Sequence, residues 1–177
     1  MFTSNHINDA RSNITTLIIC GLIFAAIITT IQSIKFRTAI DRTYPTILLN
    51  YSKEEIQNTT LQIQGEYIKQ LGEADILISN IILKDIPYTS DESHFIISEM
   101  HPVGRKGLKR CEINYKNMED GYFGELYVDC DFEYAFIFPK EDRSLVYVAP
   151  AKTLEEAISL FQKFWMFGQE KTYKGNG

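Results

Sequence analysis

The sequence predicts an α+β protein in which a single N-terminal transmembrane helix precedes a domain with an antiparallel β-meander and flanking helices. Three observations carry that expectation. Residues 12–33 hold no charged side chain between Arg11 and Lys35. Residues 108–149 alternate apolar and polar side chains on both sides of Asp120-Gly121, and Thr153 with Glu156 opens an amphipathic segment.

Residues 1–11, MFTSNHINDAR, read as a polar leader lying at a membrane surface. The transmembrane helix is set at 12–34. Its central stretch, Ile14 to Ile34, would be about 30 Å long at ~1.5 Å per residue, the thickness of a bilayer hydrocarbon core. A buried core helix is usually shorter and interrupted by polar residues, and a cleavable signal needs a basic start. Gly21, Ala25, Thr29 and Ser33 recur at every fourth position and share one helical face. Such a face lets another backbone approach closely, so these four residues form a candidate docking face for a partner helix or a second copy. The alternative is that small residues are simply common in spans. Cys20 reads as a small apolar residue, and the absence of any carboxylate between Asp9 and Asp41 argues against a proton path.

Residues 35–51 read as a juxtamembrane linker, with Lys35, Arg37 and Arg42 in the interface and Pro45 ending the helix. The soluble α+β domain is set at 52–168 and a flexible tail at 169–177. Ser52 and Glu55 form a capping box, which predicts a helix with Ile56, Thr60, Ile63, Tyr67 and Leu71 on one side and Gly72 at its end. The run from Asp75 to Ile86 fits a strand or a short helix equally well. Residues 87–93 read as a loop and His94 to Glu99 as a strand.

A two-residue type I′ turn at Asp120-Gly121 places Tyr115 opposite Leu126, Ile113 opposite Val128, and Cys111 opposite Cys130. Opposed residues have Cα atoms about 4.5–5.5 Å apart, within disulfide reach. A cross-strand disulfide between Cys111 and Cys130 is therefore expected, with two reduced core thiols as the alternative. Ser144 to Ala149 completes the meander. The last helix carries Leu154, Ala157, Ile158, Phe161, Phe164 and Trp165 on one broad face that covers the sheet.

The net charge of −5 argues against nucleic acid as a partner, because phosphates demand a basic surface. Gly104 to Gly107 with Arg105, Lys106, Lys109 and Arg110 forms a local basic loop, a possible contact for anionic headgroups or an acidic partner. Its GxxG spacing resembles the phosphate clamp of KH modules, but Pro102 stands where the preceding helix should run. Asp91, Glu92, His94, Glu99 and His101 are metal-ligand types without the spacing of a zinc site. There is no CxxC, HExxH or GxSxG, so no catalytic residue, metal or cofactor is assigned.

Orientation rests on two opposed signals. The basic flank after the span favours a cytosolic domain, whereas paired cysteines favour oxidation outside the cytosol. The balance leans to an extracytoplasmic domain on a single-pass membrane protein. The expected function is that of a non-enzymatic bitopic subunit or assembly factor of a multiprotein envelope complex, of the secretion or pilus type. Its expected partners are the lipid bilayer and other membrane-protein subunits, or itself, through the span. The alternatives are a membrane-tethered enzyme or small-ligand receptor, and an accessory subunit of an organellar or respiratory complex.

Overall fold

The computed structural model describes residues 4–32, 34–50, 52, 54–91, 94–104, 108–116 and 121–169, with side chains described for 16–31 of the first helix and up to 163 of the last. Helix α1 is Ser4–Gln32. Eight strands follow: β1 Lys35–Asn50, β2 Glu55–Gln70, β3 Asp75–Leu83, β4 Ile96–Val103, β5 Leu108–Asn114, β6 Tyr122–Val128, β7 Ala135–Pro139 and β8 Leu145–Ala149. Helix α2 is Leu154–Gln169, and one turn of 3-10 helix spans Pro87–Ser90. The strands form a closed antiparallel barrel in chain order, with β8 returning to β1. Closure leaves no sheet edge exposed along the barrel.

This architecture replaces the α+β fold expected from sequence. The stretch expected as a linker is β1, and the helix expected after Ser52 is β2. In β1, Ile40, Tyr44 and Leu48 face the interior while Ile47 and Leu49 face outward. Pro45 carries no backbone donor and sits just before the ladder with β8 begins at Ile47. Next to it the Thr46 hydroxyl accepts the Leu61 N–H at 3.2 Å, serving where an irregular backbone does not. In β2 the interior residues Leu61, Ile63 and Tyr67 keep a period of two. The helical spacing of Ile56, Ile63 and Tyr67 is incidental to that alternation, and tertiary pairing overrides the local capping signal. Asn50, not a helix cap, organises the turn: its side chain accepts the Glu54 N–H at 2.9 Å. The ambiguous Asp75 run is a strand whose alternate residues are buried throughout.

A closed barrel must bend, and Gly65 shows how. Its φ is +155° and it pairs with Ser79. A Cβ there would collide with the Ile78 carbonyl oxygen and the Ser79 backbone. Gly124, with φ +156°, meets the Phe138 carbonyl in the same way and lies opposite a register shift at Ile113/Asn114.

That irregularity also removes the expected disulfide. Cys111 pairs with Leu126, Ile113 with Gly124 and Asn114 with Tyr122. The hairpin is longer than a two-residue turn, as the Tyr115 N–H bond to the Gly121 carbonyl at 2.8 Å shows; Asp120 lies outside the described residues. The register slips by an even number of residues, from Cys130 to Leu126, so the inward face is kept and the thiol pairing is lost. Cys20, Cys111 and Cys130 form no disulfide, with Cys111 buried and the other two exposed.

The interior is filled by side chains from every strand, among them Leu61, Leu77, Ile81, Ile96, Met100, Ile113, Leu126 and Ile137. One end is closed by Phe132, which takes a left-handed backbone (φ +54°) between β6 and β7 and sets its ring edge-on to Tyr67 at 5.6 Å. Asp129 holds that turn by accepting the N–H groups of Glu133 at 2.7 Å and Tyr134 at 3.1 Å. At the other end the 3-10 turn sets Tyr88 against Tyr115 and Phe123. The Tyr115 hydroxyl donates to the Ile81 carbonyl at 2.6 Å.

A second apolar layer lies outside the barrel wall. Ile47, Leu49, Phe136, Val146 and Val148 face Ala151, Ala157 and Phe161 of the α2 segment. Thr153 caps α2 by accepting the Glu156 N–H at 3.2 Å, and the Glu156 carboxylate accepts the Lys152 N–H at 2.7 Å. The side chains of Phe164 and Trp165 lie outside the described residues.

Among the described residues no helix is long and apolar enough to cross a membrane. The single-pass transmembrane helix set at 12–34 is therefore not supported, nor is the membrane placement with an extracytoplasmic domain that rested on it.

Candidate functional site

Two places on the molecule present chemistry beyond a satisfied core. The first is α1 itself. Every described side chain from Thr16 to Ile31 is exposed, including Leu17, Ile18, Leu22, Ile23, Phe24 and Ile27. Of the expected docking face, Gly21, Ala25 and Thr29 lie on this exposed helix, and Ser33 is outside the described residues. A Cβ added at Gly21 would meet nothing within 4 Å. The Thr29 hydroxyl turns back to the Ala25 and Ala26 carbonyls at 3.1 and 2.9 Å, so the polar group on that face is already satisfied.

The second is a slot in the barrel wall between β4 and β5. These strands are laddered only at His101/Arg110, Pro102/Lys109 and Val103/Leu108. Six residues farther along the same register, the Lys116 N–H bonds the Phe95 carbonyl at 2.8 Å. Between those two closures β4 is also laddered to β3 and β5 to β6, and β4 and β5 remain close neighbours in the barrel wall. The opening is a cavity of about 300 Å³ lined by Ile97, Ser98, Glu99, His101, Arg110, Cys111, Glu112, Asn114 and Lys116. Burial pushes the Cys111 thiol up to about 12, which keeps it neutral, with the Ser98 hydroxyl beside it acting in the opposite sense.

Charge is ordered across this wall. Extending the β4–β5 register sets Glu99 opposite Glu112, and Glu112 pairs directly with Glu125 on β6. Three carboxylates thus line up across three strands, an arrangement that weakens pairing. The outer two have partners: Glu99 Oε2 lies 3.7 Å from His101 Nε2, and Glu125 receives Arg110 Nη1 at 3.3 Å and the Tyr127 hydroxyl at 2.7 Å. Burial, then the Glu125 hydrogen bond, pushes Tyr127 up to about 12. Glu112, in the middle, is exposed and acts on Arg110 through its charge, and Lys116 stands at the far end of the cavity.

The remaining sequence candidates are dispersed. Lys109 leaves the basic loop for the barrel end, where its Nζ donates to Asp75 and to the Tyr67 hydroxyl and stands 4.9 Å from the Tyr67 ring centroid. Tyr67 in turn donates to Asp75. Arg110 is joined to Glu125, while Arg105 and Lys106 lie outside the described residues. Of the possible metal ligands, Glu99 and His101 meet in the slot. His94 is elsewhere, with Nδ1 2.7 Å from the Tyr88 carbonyl and Nε2 3.9 Å from Asp91, and Glu92 lies outside the described residues. Among the described residues no group of three or more His, Cys, Asp or Glu is placed to hold a metal ion.

No protein-family model matches this chain, and no match is found among curated proteins or solved structures. Its function must therefore be argued from its own geometry.

The slot was not anticipated from sequence. The signal available was the alternation of Arg110, Glu112, Asn114 and Lys116 with Cys111, Ile113 and Tyr115, which marks an outward polar row. Its neighbours on β4 and β6 follow only from the register.

Proposed function

We propose that this chain is a non-enzymatic subunit or assembly factor of a multiprotein complex, in which the barrel is the rigid body and α1 is the helix that docks onto a helix of another subunit. One observation carries the reading: sixteen consecutive described residues of α1 are exposed, and nine of them are large apolar side chains. An apolar surface of that extent marks an interaction site on a folded protein. The small residues Gly21, Ala25 and Thr29 supply the side on which a partner helix approaches most closely. The barrel needs no ligand in its interior to be complete, because its own side chains fill it.

The test is purification of the full-length chain from its native source, beside a Gly21→Ile/Ala25→Ile variant. The reading expects a stoichiometric companion chain, or a second copy, with the wild type and its loss with the variant, while the thermal unfolding of the barrel stays the same. A monomer with no companion, or a companion retained undiminished by the variant, contradicts it.

A further inference from the structure

We propose that a second copy of this chain pairs with the N-terminal half of β1, along residues 37–43, in an antiparallel register centred on Ala39 that continues the sheet across a two-fold axis.

The place follows from unequal strand lengths. β1 and β2 are 16 residues each, whereas β8 has 5. The ladder that closes the barrel takes only Ile47–Asn50 of β1, and beyond it the Ala151 N–H bonds the Pro45 carbonyl at 2.8 Å before the chain enters α2. β8 is then used up. β2 runs on beside β3 as far as Ile68, so both its edges are taken, by β1 and by β3. Among the described residues no strand is laddered to 37–44 of β1 on the β8 side. Exposure agrees: Arg37, Thr38, Ala39, Asp41, Arg42 and Thr43 are exposed, and only Ile40 between them is buried.

The direction of the backbone follows from the period of two. The Pro45 carbonyl points to the β8 side, and Ile40, Tyr44 and Leu48 keep to one face of the strand without interruption. Residues two apart repeat both side-chain and backbone direction, so the N–H and C=O groups of Arg37, Ala39 and Asp41 point to that same edge. A two-fold axis at Ala39 joins them in hydrogen-bonded pairs, Ala39 with the partner's Ala39 and Arg37 with the partner's Asp41. This is recognition by strand addition.

The charges select the occupant. Within the chain Arg37 reaches Glu66 at 3.2 Å with its side chain 65 % exposed, and Asp41 accepts the Gln64 amide at 3.1 Å. A guanidinium has five donors and a carboxylate about four acceptor sites, so each keeps capacity for a second partner. In the proposed register Arg37 faces the partner's Asp41 twice per dimer, the favourable arrangement for directly opposed side chains. A parallel copy would set Arg37 against the partner's Arg37, and an apolar strand from another protein would leave both charges unanswered. Ala39 carries the smallest side chain of the segment and stands on the axis, where its own copy must fit against it. The surface uses none of the α1 residues assigned to docking, so the two interfaces stand or fall separately.

The experiment is sedimentation velocity of the full-length protein. A dimer is expected, weakened about tenfold by Arg37→Asp or by Asp41→Arg, since either change turns two attractive pairs into two repulsive ones. An equimolar mixture of these two variants should recover the wild-type association, because each then meets its opposite, and so should the exchange Arg37→Asp/Asp41→Arg. Gly21→Ile/Ala25→Ile should leave this dimer intact. Both β1 positions are exposed, and circular dichroism of each variant checks folding. A monomer up to millimolar concentration, single variants that associate as well as the wild type, a mixture no tighter than its components, or a dimer lost with the α1 variant each overturns the proposal.

Discussion

The two helices put similar side chains to opposite uses. Helix α2 buries Ala157 completely and Phe161 to 4 % exposure against β1, β7 and β8. Helix α1 presents Leu22 and Phe24 at 66 % exposure and Leu17 at 72 %. Both are rich in Ile, Leu and Phe, so apolarity alone does not decide which helix belongs to the core. The difference lies in pattern. In α2 Glu155, Glu156 and Lys163 are exposed while Ala157 and Phe161 are buried, which gives one face to the wall and one to water. In α1 apolar residues run round the helix from Leu17 to Ile31, the pattern on which the proposed docking role rests.

That comparison can be broken by substitution. Phe161→Ala is expected to destabilise the fold by about 3–5 kcal/mol, the usual cost of emptying a buried aromatic site. Leu22→Ala is expected to change the stability of the isolated chain by less than about 0.5 kcal/mol. Urea unfolding of both variants measures the contrast, and equal losses would mean that α1 belongs to the same core as α2.

An effect of similar size is expected at the barrel end. Lys109→Met removes the cation from the Asp75 carboxylate, whose side chain is 11 % exposed and keeps the Tyr67 hydroxyl, and should cost about 3 kcal/mol. The double change Lys109→Met/Asp75→Leu should recover most of it, because removing both charges also removes their desolvation. A double change as unstable as the single one would show that the pair is needed for more than charge balance.

Alkaline pH probes the same interior more gently. Burial raises the tyrosines Tyr44 and Tyr127 to about 12, and Cys111 likewise to about 12. Tyr115 and Tyr147 are raised as well, chiefly by burial. Unfolded thiols and phenols ionise at about 8.5–10, so the unfolded chain loses protons before the folded one does. Stability is complete below that range and falls as pH rises toward about 12. Lys109, which Asp75 and Tyr67 raise against the opposing effect of burial, contributes with the same sign. Urea midpoints between pH 7 and pH 11 check this, and a midpoint that rises with pH contradicts it.

The smallest effect expected is none. With no disulfide joining Cys20, Cys111 and Cys130, a reductant should leave the melting temperature unchanged. Native thiol titration should show Cys20 and Cys130 reacting quickly and Cys111 only on unfolding.

The sequence was legible where period-two alternation was strong and local. Ser144 to Ala149 contains β8, and the Thr153/Glu156 box starts α2. It misled where a helical period and a capping pair overlaid a strand: Ile63 and Tyr67 fit both periods, Ile56 fits only the helical one and is exposed, and only the partner strands β1 and β3 decide for β2. Pro45 suggested a break because the Thr46 hydroxyl, which takes a ladder role, cannot be foreseen from residue types. The Cys111 pairing failed for a subtler reason. An even slip of register preserves which side chains face inward, so the correct hydrophobic face gave no warning of the wrong partner. The slot depends on one register meeting at two closures, which no local pattern encodes.

The central claim is that the barrel is complete in itself and that α1 is an interaction helix. Hydrogen exchange of the full-length chain, followed by mass spectrometry, tests it most directly. The amides of β2, β3 and β5–β8 should exchange last and together, at the rate set by global unfolding, while those of 16–31 exchange faster in the isolated protein and slow only when a partner helix is engaged. Protection of 16–31 equal to that of the barrel strands in the isolated monomer would contradict the account.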